Sequence, residues 1–95
     1  TYGELETGAT ALAFADHSLA ASHFPQGHVA AHSSPLPLGM EIALVTPDVA
    51  SAHTKALQAG ATEIKAPAAQ PWGQTVSYVR CPDGTLVELC TPIGA

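Results

Sequence analysis

The clearest pattern in the chain begins at residue 39. In "GMEIALVT", Ile42 and Leu44 alternate with Ala43 and Val45, the period of a strand. In "PDVASAHTKALQAG" the spacing changes. Val49, Ala52, His53, Ala56 and Leu57 recur every three or four residues and predict one buried helical stripe. Asp48 is placed to cap that helix and Gly60 to end it. "TEIKA" predicts a short strand, residues 67 to 73 a proline-containing loop, and residues 74 to 81 and 85 to 90 two further strands. The predicted order from residue 39 is β-α-β-β-β. Upstream, residues 2 to 7 and 10 to 15 predict a hairpin, with Leu12 and Phe14 on one face and Ala11, Ala13 and Ala15 on the other. Residues 16 to 38 keep no period, because Pro25, Pro35, Pro37 and Gly27 break any long helix. They predict a connector with a short helical turn near Leu19 to Ser22. The organisation expected is therefore a terminal hairpin over 1–16, a connector over 17–38 and a β-α-β-β-β unit over 39–95.

The last two strands meet at "CPDGT", which fits a three-residue hairpin loop with Gly84 in the left-handed position. That loop fixes a register: Cys81 opposite Thr85, Arg80 opposite Leu86, Tyr78 opposite Glu88 and Val76 opposite Cys90. Val79, Val87 and Leu89 then share the face that packs on the helix. Glu88 falls on the other face, among Val76, Tyr78, Leu86 and Cys90. An acid among such neighbours must face water, a cation, a metal or a ligand cavity. Glu41 opens its strand in a similar setting. The two acids can converge in one cleft, or each can be a wetted strand end; the pattern alone leaves both open. Cys81 and Cys90 fall on opposite faces, too far apart for a disulfide, and are expected as free thiols.

Composition narrows the function classes. Eight acidic residues against three basic give a formal charge of -5, so there is no basic patch for a phosphate backbone and no nucleic-acid partner is expected. No apolar run approaches a membrane span, and the expectation is a non-membrane, cytoplasmic protein. Eighteen alanines leave few large side chains for the core. His23, His28 and His32 read as surface imidazoles, whereas His17, just after the strand carrying Phe14, is the one best placed to act as acid or base. His53 reads as a packing residue. Trp72, in the loop before Tyr78, plugs the core's end or lines a cleft for a flat or apolar ligand.

From residue 39 to 92 the chain resembles the second module of the vicinal oxygen chelate superfamily: glyoxalase I, bleomycin resistance proteins and extradiol dioxygenases. The resemblance rests on "TPDV" at the helix start, on Pro71, Trp72 and Gly73, and on the PDG turn followed by Leu86, Val87 and Glu88. "GELETGATALAFADH" looks like the end of a first module whose own β-α-β beginning is absent. The resemblance implies an α+β fold of β-α-β-β-β modules whose sheets curl around a shared cleft. It also implies that Glu88 matches the last-strand glutamate that often binds a divalent metal, and that Glu41 matches the strand-start position, commonly His or Glu. The corresponding position of the first module falls at Ala13, which cannot bind metal, so no glyoxalase-type metal centre and no cofactor are expected. Cys81 stands where the family commonly has an aspartate before Pro-Asp-Gly.

Two functional classes follow. One is a small-molecule binding protein of the bleomycin-resistance kind, with Trp72, Tyr78 and Val76 lining an apolar cleft; Glu88, Glu41 and His17 are the candidate catalytic residues. The other is a metal-dependent lyase, isomerase or dioxygenase that uses Glu41 and Glu88 with a divalent ion; an inactive fragment is a third possibility. The absent β-α-β leaves open strand edges, and the family often pairs modules across a dimer. A homodimer, possibly strand-swapped, is expected.

Overall fold

The computed structural model describes residues 2–5 and 11–93. The chain divides into two compact units, residues 1–30 and 31–95. In the first, β1 (Tyr2–Leu5) runs antiparallel to β2 (Leu12–Ala15), pairing Leu5 with Leu12 and Tyr2 with Ala15. Residues 6 to 10 of the expected hairpin lie outside the described residues. α1 (His17–His23) follows directly. Asp16 caps it by accepting the Leu19 amide at 2.8 Å. The helical turn expected near Leu19 to Ser22 is thus two turns long.

The second unit is one four-stranded sheet covered by one helix. A 3-10 turn (Ala31–Ser33) leads to β3 (Glu41–Val45), α2 (Val49–Gln58), β4 (Thr62–Ala69), β5 (Thr75–Arg80) and β6 (Leu86–Cys90). The strands lie in the order β3-β6-β5-β4, with β3 parallel to β6 and the other neighbours antiparallel. This is the β-α-β-β-β order expected from the hydrophobic pattern. The β5–β6 register is the one fixed by the PDG loop: Tyr78 opposite Glu88 and Val76 opposite Cys90. Gly84 holds φ +95, the left-handed conformation that loop requires.

The core is the seam between α2 and the sheet. Val49 packs with Val79, Val87 and Leu89, and Leu44, Ala52 and Ala56 border the cluster. Asp48 accepts the Ser51 amide at 3.0 Å at the start of α2, and Gly60 beyond its end has φ +108. Of the expected stripe, Val49 and His53 are buried, whereas Leu57, near the helix end, is exposed. β4 also differs from expectation. It runs on through Pro67 to Ala69 rather than stopping at residue 66. An edge strand tolerates proline, because an amide turned to solvent is no loss. Two register shifts in its pairing with β5 bend that edge away from further pairing. No helix among the described residues is long and apolar enough to cross a membrane.

Candidate functional site

The sheet has a second face, opposite α2, and register alone orders it into three rows. Glu41, Leu86, Arg80 and Thr62 form the first. Ala43, Glu88, Tyr78 and Lys65 form the second, and Val45, Cys90, Val76 and Ala68 the third. Glu41 and Glu88 therefore lie diagonally on adjacent strands, close enough for their carboxyls to share a hydrogen bond. The Tyr78 hydroxyl donates to Glu88 Oε1 at 3.4 Å. Four residues singled out by sequence, Glu41, Tyr78, Val76 and Glu88, thus meet on one face. Val76 and Cys90 are buried, Tyr78 and Glu88 half-buried, and Glu41 exposed.

Electrostatics follow from this placement. The hydrogen bond that a protonated Glu41 donates to Glu88, and secondarily burial and the Glu88 negative charge, raise the Glu41 pKa above its ordinary value. Burial, then the charges of Glu88 and Glu41, raise the Tyr78 pKa, so its phenol remains a donor at neutral pH. Burial and Glu88 do the same to the Cys90 thiol, and burial with Asp83 to Cys81. Both cysteines are free, and neither has the lowered pKa of a nucleophile.

The Glu41 shift has a consequence for stability. A carboxyl whose pKa is higher folded than unfolded binds its proton more tightly in the native state. Folding then loses stability as pH rises from the unfolded value near 4.5 through the folded one. Glu41→Gln removes this dependence. The stability gap between wild type and Glu41→Gln, read from urea midpoints, should shift in favour of the variant between pH 4.5 and neutrality.

Arg80 shares the face but not the carboxyls. Its Nε donates to Gly84 O at 3.1 Å, Nη1 to Pro35 O at 3.4 Å, and Nη2 to Ala31 O at 2.9 Å and Ser34 O at 2.8 Å. The guanidinium is spent on backbone carbonyls, and it is the chain's one arginine, so the acidic pair has no arginine partner.

Trp72 stands at the third-row end of the sheet. Its indole N–H donates to Gln74 Oε1 at 2.6 Å, and the Gln74 amide in turn donates to Thr91 O at 2.7 Å. Trp72 is 66% exposed, so it does not plug the core. It is instead an aromatic surface held in a fixed orientation. His17 belongs to the first unit, where its Nδ1 lies 2.8 Å from His28 Nε2.

Sequence reasoning did not foresee the partners of His53. Its Nδ1 lies 2.9 Å from Ser77 Oγ and its Nε2 2.8 Å from Glu63 Oε2. A Ser-His-Glu chain suggests nucleophilic catalysis, but Ser77 is 0% exposed and sits between helix and sheet, where no acyl group can reach it. It is a structural network.

The family's divalent ion can be tested against these donors. Glu41 and Glu88 supply two carboxylates, but among the described residues no three His, Cys, Asp or Glu side chains cluster as metal ligands do. An octahedral oxygen site needs about six donors, so the set does not fit a complete centre.

Solved structures share this architecture. A glyoxalase-related enzyme from Fulvimarina pelagi aligns over 99% of this chain and 69% of its own, with a TM-score of 0.77 and 23% identity. The chain has the vicinal oxygen chelate fold. A glyoxalase/bleomycin resistance protein/dioxygenase superfamily member from Sphaerobacter thermophilus is 33% identical over 60% of this chain, with a TM-score of 0.52. A glyoxalase/bleomycin resistance protein/dioxygenase from Nocardioides covers 99% of it at 19% identity and a TM-score of 0.54. The chain spans 46%, 69% and 63% of the Sphaerobacter, Fulvimarina and Nocardioides proteins respectively. No family model and no curated protein matches it. In this fold the face carrying Glu41, Tyr78 and Glu88 is the one turned away from the module's helix.

Proposed function

We propose that the sheet face opposite α2 binds a small molecule without a glyoxalase-type metal centre. The observation that carries this reading is the meeting of Glu41, Glu88 and the Tyr78 hydroxyl on a sheet face otherwise lined by Val76, Ala43 and Cys90. Such a face offers apolar contact with a few convergent polar groups, the make-up of a ligand site. Trp72 supplies a fixed ring for a flat ligand to stack on, at little cost in side-chain entropy. The carboxyl pair accepts from hydroxyl or ammonium groups and disfavours anions. A second copy of the chain, in a homodimer, would supply the opposite wall of the cleft; light scattering that gives a monomer at every concentration would end that part of the proposal.

Binding is testable without knowing the natural ligand. A panel of flat aromatic alcohols and amines is titrated into labelled protein and followed by the Trp72 indole and Tyr78 and Glu88 backbone signals. At least one member should shift all three together, and Glu88→Gln should weaken that member about tenfold. This is the loss of one charge-assisted hydrogen bond. Signals that never move together would defeat the reading. The metal-dependent alternative would instead show a divalent ion retained through purification and lost in Glu88→Gln.

A further inference from the structure

The chain enters β3 through residues 34–40, and this segment is held in an unusual way. Pro35 and Pro37 have no amide proton to donate. Met40 N donates only within the segment, to Leu38 O at 2.8 Å. Apart from the β3–β6 ladder, which takes hold where the segment ends at Glu41 opposite Leu86, hydrogen bonds among the described residues reach 34–40 from one side chain of the unit, Arg80, through the carbonyls of Ser34 and Pro35. Packing adds little. Leu36, Leu38 and Met40 are exposed, and a cavity of about 90 Å³ lies between Ala31, Leu38 and Met40 on one side and Gly84, Thr85 and Leu86 on the other. A segment poor in donors, half lifted from the sheet and gripped at one end by a single fork of donors has the mechanics of a strap with a latch.

We propose that residues 34–40 are a strap latched by Arg80, and that the latch fixes where Glu41 stands against Glu88. Glu41 is the first residue of β3 and follows the strap directly, so slack in the strap reaches it first. The same bonds keep the Arg80 guanidinium off the acidic pair, although Arg80 and Glu41 stand in one row of the face, separated by Leu86. Arg80 is thus a positioning residue. Release of the latch would loosen Glu41 and free the one guanidinium able to neutralise it. The importance of this for binding rests on the proposed reading of the face opposite α2; the latch itself does not.

The test compares the full chain with Arg80→Met and Arg80→Lys. Lysine keeps the charge but lacks the planar fork that reaches several carbonyls at once. Three readouts are taken: proteolytic cleavage after Leu38, amide exchange in β5 and β6, and the side-chain carboxyl carbon signals of Glu41 and Glu88. Cleavage should quicken at least tenfold in Arg80→Met and about threefold in Arg80→Lys, with exchange in β5 and β6 unchanged and the Glu41 signal displaced. Unchanged cleavage, or cleavage that rises only in step with β5 and β6 exchange, overturns the latch. An undisturbed Glu41 signal overturns its positioning role. If Arg80→Met does not fold, the same three readouts on Arg80→Lys decide. Failure of every aromatic probe to bind would sink the proposed function and leave these results standing.

Discussion

Replacing Gly84 by alanine should destabilise the second unit by about 3 kcal/mol or more, a large part of the roughly 3–10 kcal/mol that a unit of this size holds. Two costs combine. The backbone at Gly84 has φ +95, where an L side chain is strained by about 1–3 kcal/mol. A Cβ there would also stand 2.3 Å from Ala31 C and His32 N and 2.5 Å from Ala31 O. Those are backbone atoms and cannot rotate aside, so either the PDG loop or the turn at 31–33 must move, at a further cost of about 1–3 kcal/mol. Gly73 supplies the control. It has a similar φ, +103, with nothing within 4 Å of where a Cβ would stand. Gly73→Ala should therefore cost only the backbone strain. Urea midpoints that move equally in the two variants would show that the contact with residues 31 and 32 is not tight.

Gly84 also shows how far sequence reading reaches. The left-handed turn is legible in "PDG", because turn chemistry is local and the residues that demand it adjoin. The close approach of Ala31 and His32 is not. It joins positions some fifty residues apart, and nothing in "VAAHSSP" marks a backbone about to pass against a distant glycine. The same divide separates the rest of the fold. α2, β3 and the β5–β6 register follow from period and turn type, each contained within a few residues. The pairing of β3 with β6 and the bulged course of β4 depend on how the sheet assembles, and local pattern does not carry them.

The candidate site divides along the same line. Tyr78 and Glu88 share a face by hairpin register, so their meeting is deducible. Glu41 joins them only because β3 lies parallel to β6 with Ala43 beside Glu88. Arg80 is visible as a cation opposite Leu86, but its four carbonyl partners, three of them in a segment read as a loose connector, have no sequence signal. A proline-rich stretch looks mobile because it lacks donors, yet the same lack makes its carbonyls available to an arginine elsewhere.

His53→Ala should cost about 2–4 kcal/mol, more than any change at Glu63, because it breaks the network at its buried centre. Glu63 is an acceptor when ionised, so Nε2 carries an imidazole N–H, and the Ser77 hydroxyl, which can accept or donate, pairs with Nδ1. His53 is 4% exposed and Ser77 not at all, so alanine at 53 leaves both an empty ring volume and a hydroxyl with no partner. Ser77→Ala leaves the opposite orphan, an unpaired Nδ1, and should cost about 1–3 kcal/mol. Removing both together should cost less than the sum of the two, by about 1 kcal/mol, since neither orphan then remains. Glu63→Gln keeps an acceptor for Nε2 on a side chain 47% exposed, and should stay within about 1 kcal/mol of wild type. The four urea midpoints decide the matter. If His53→Ala and Ser77→Ala prove additive, the two side chains do not act as a pair, and the helix is held on the sheet by the apolar contacts around Val49, Val79, Val87 and Leu89 and by the His53–Glu63 bond.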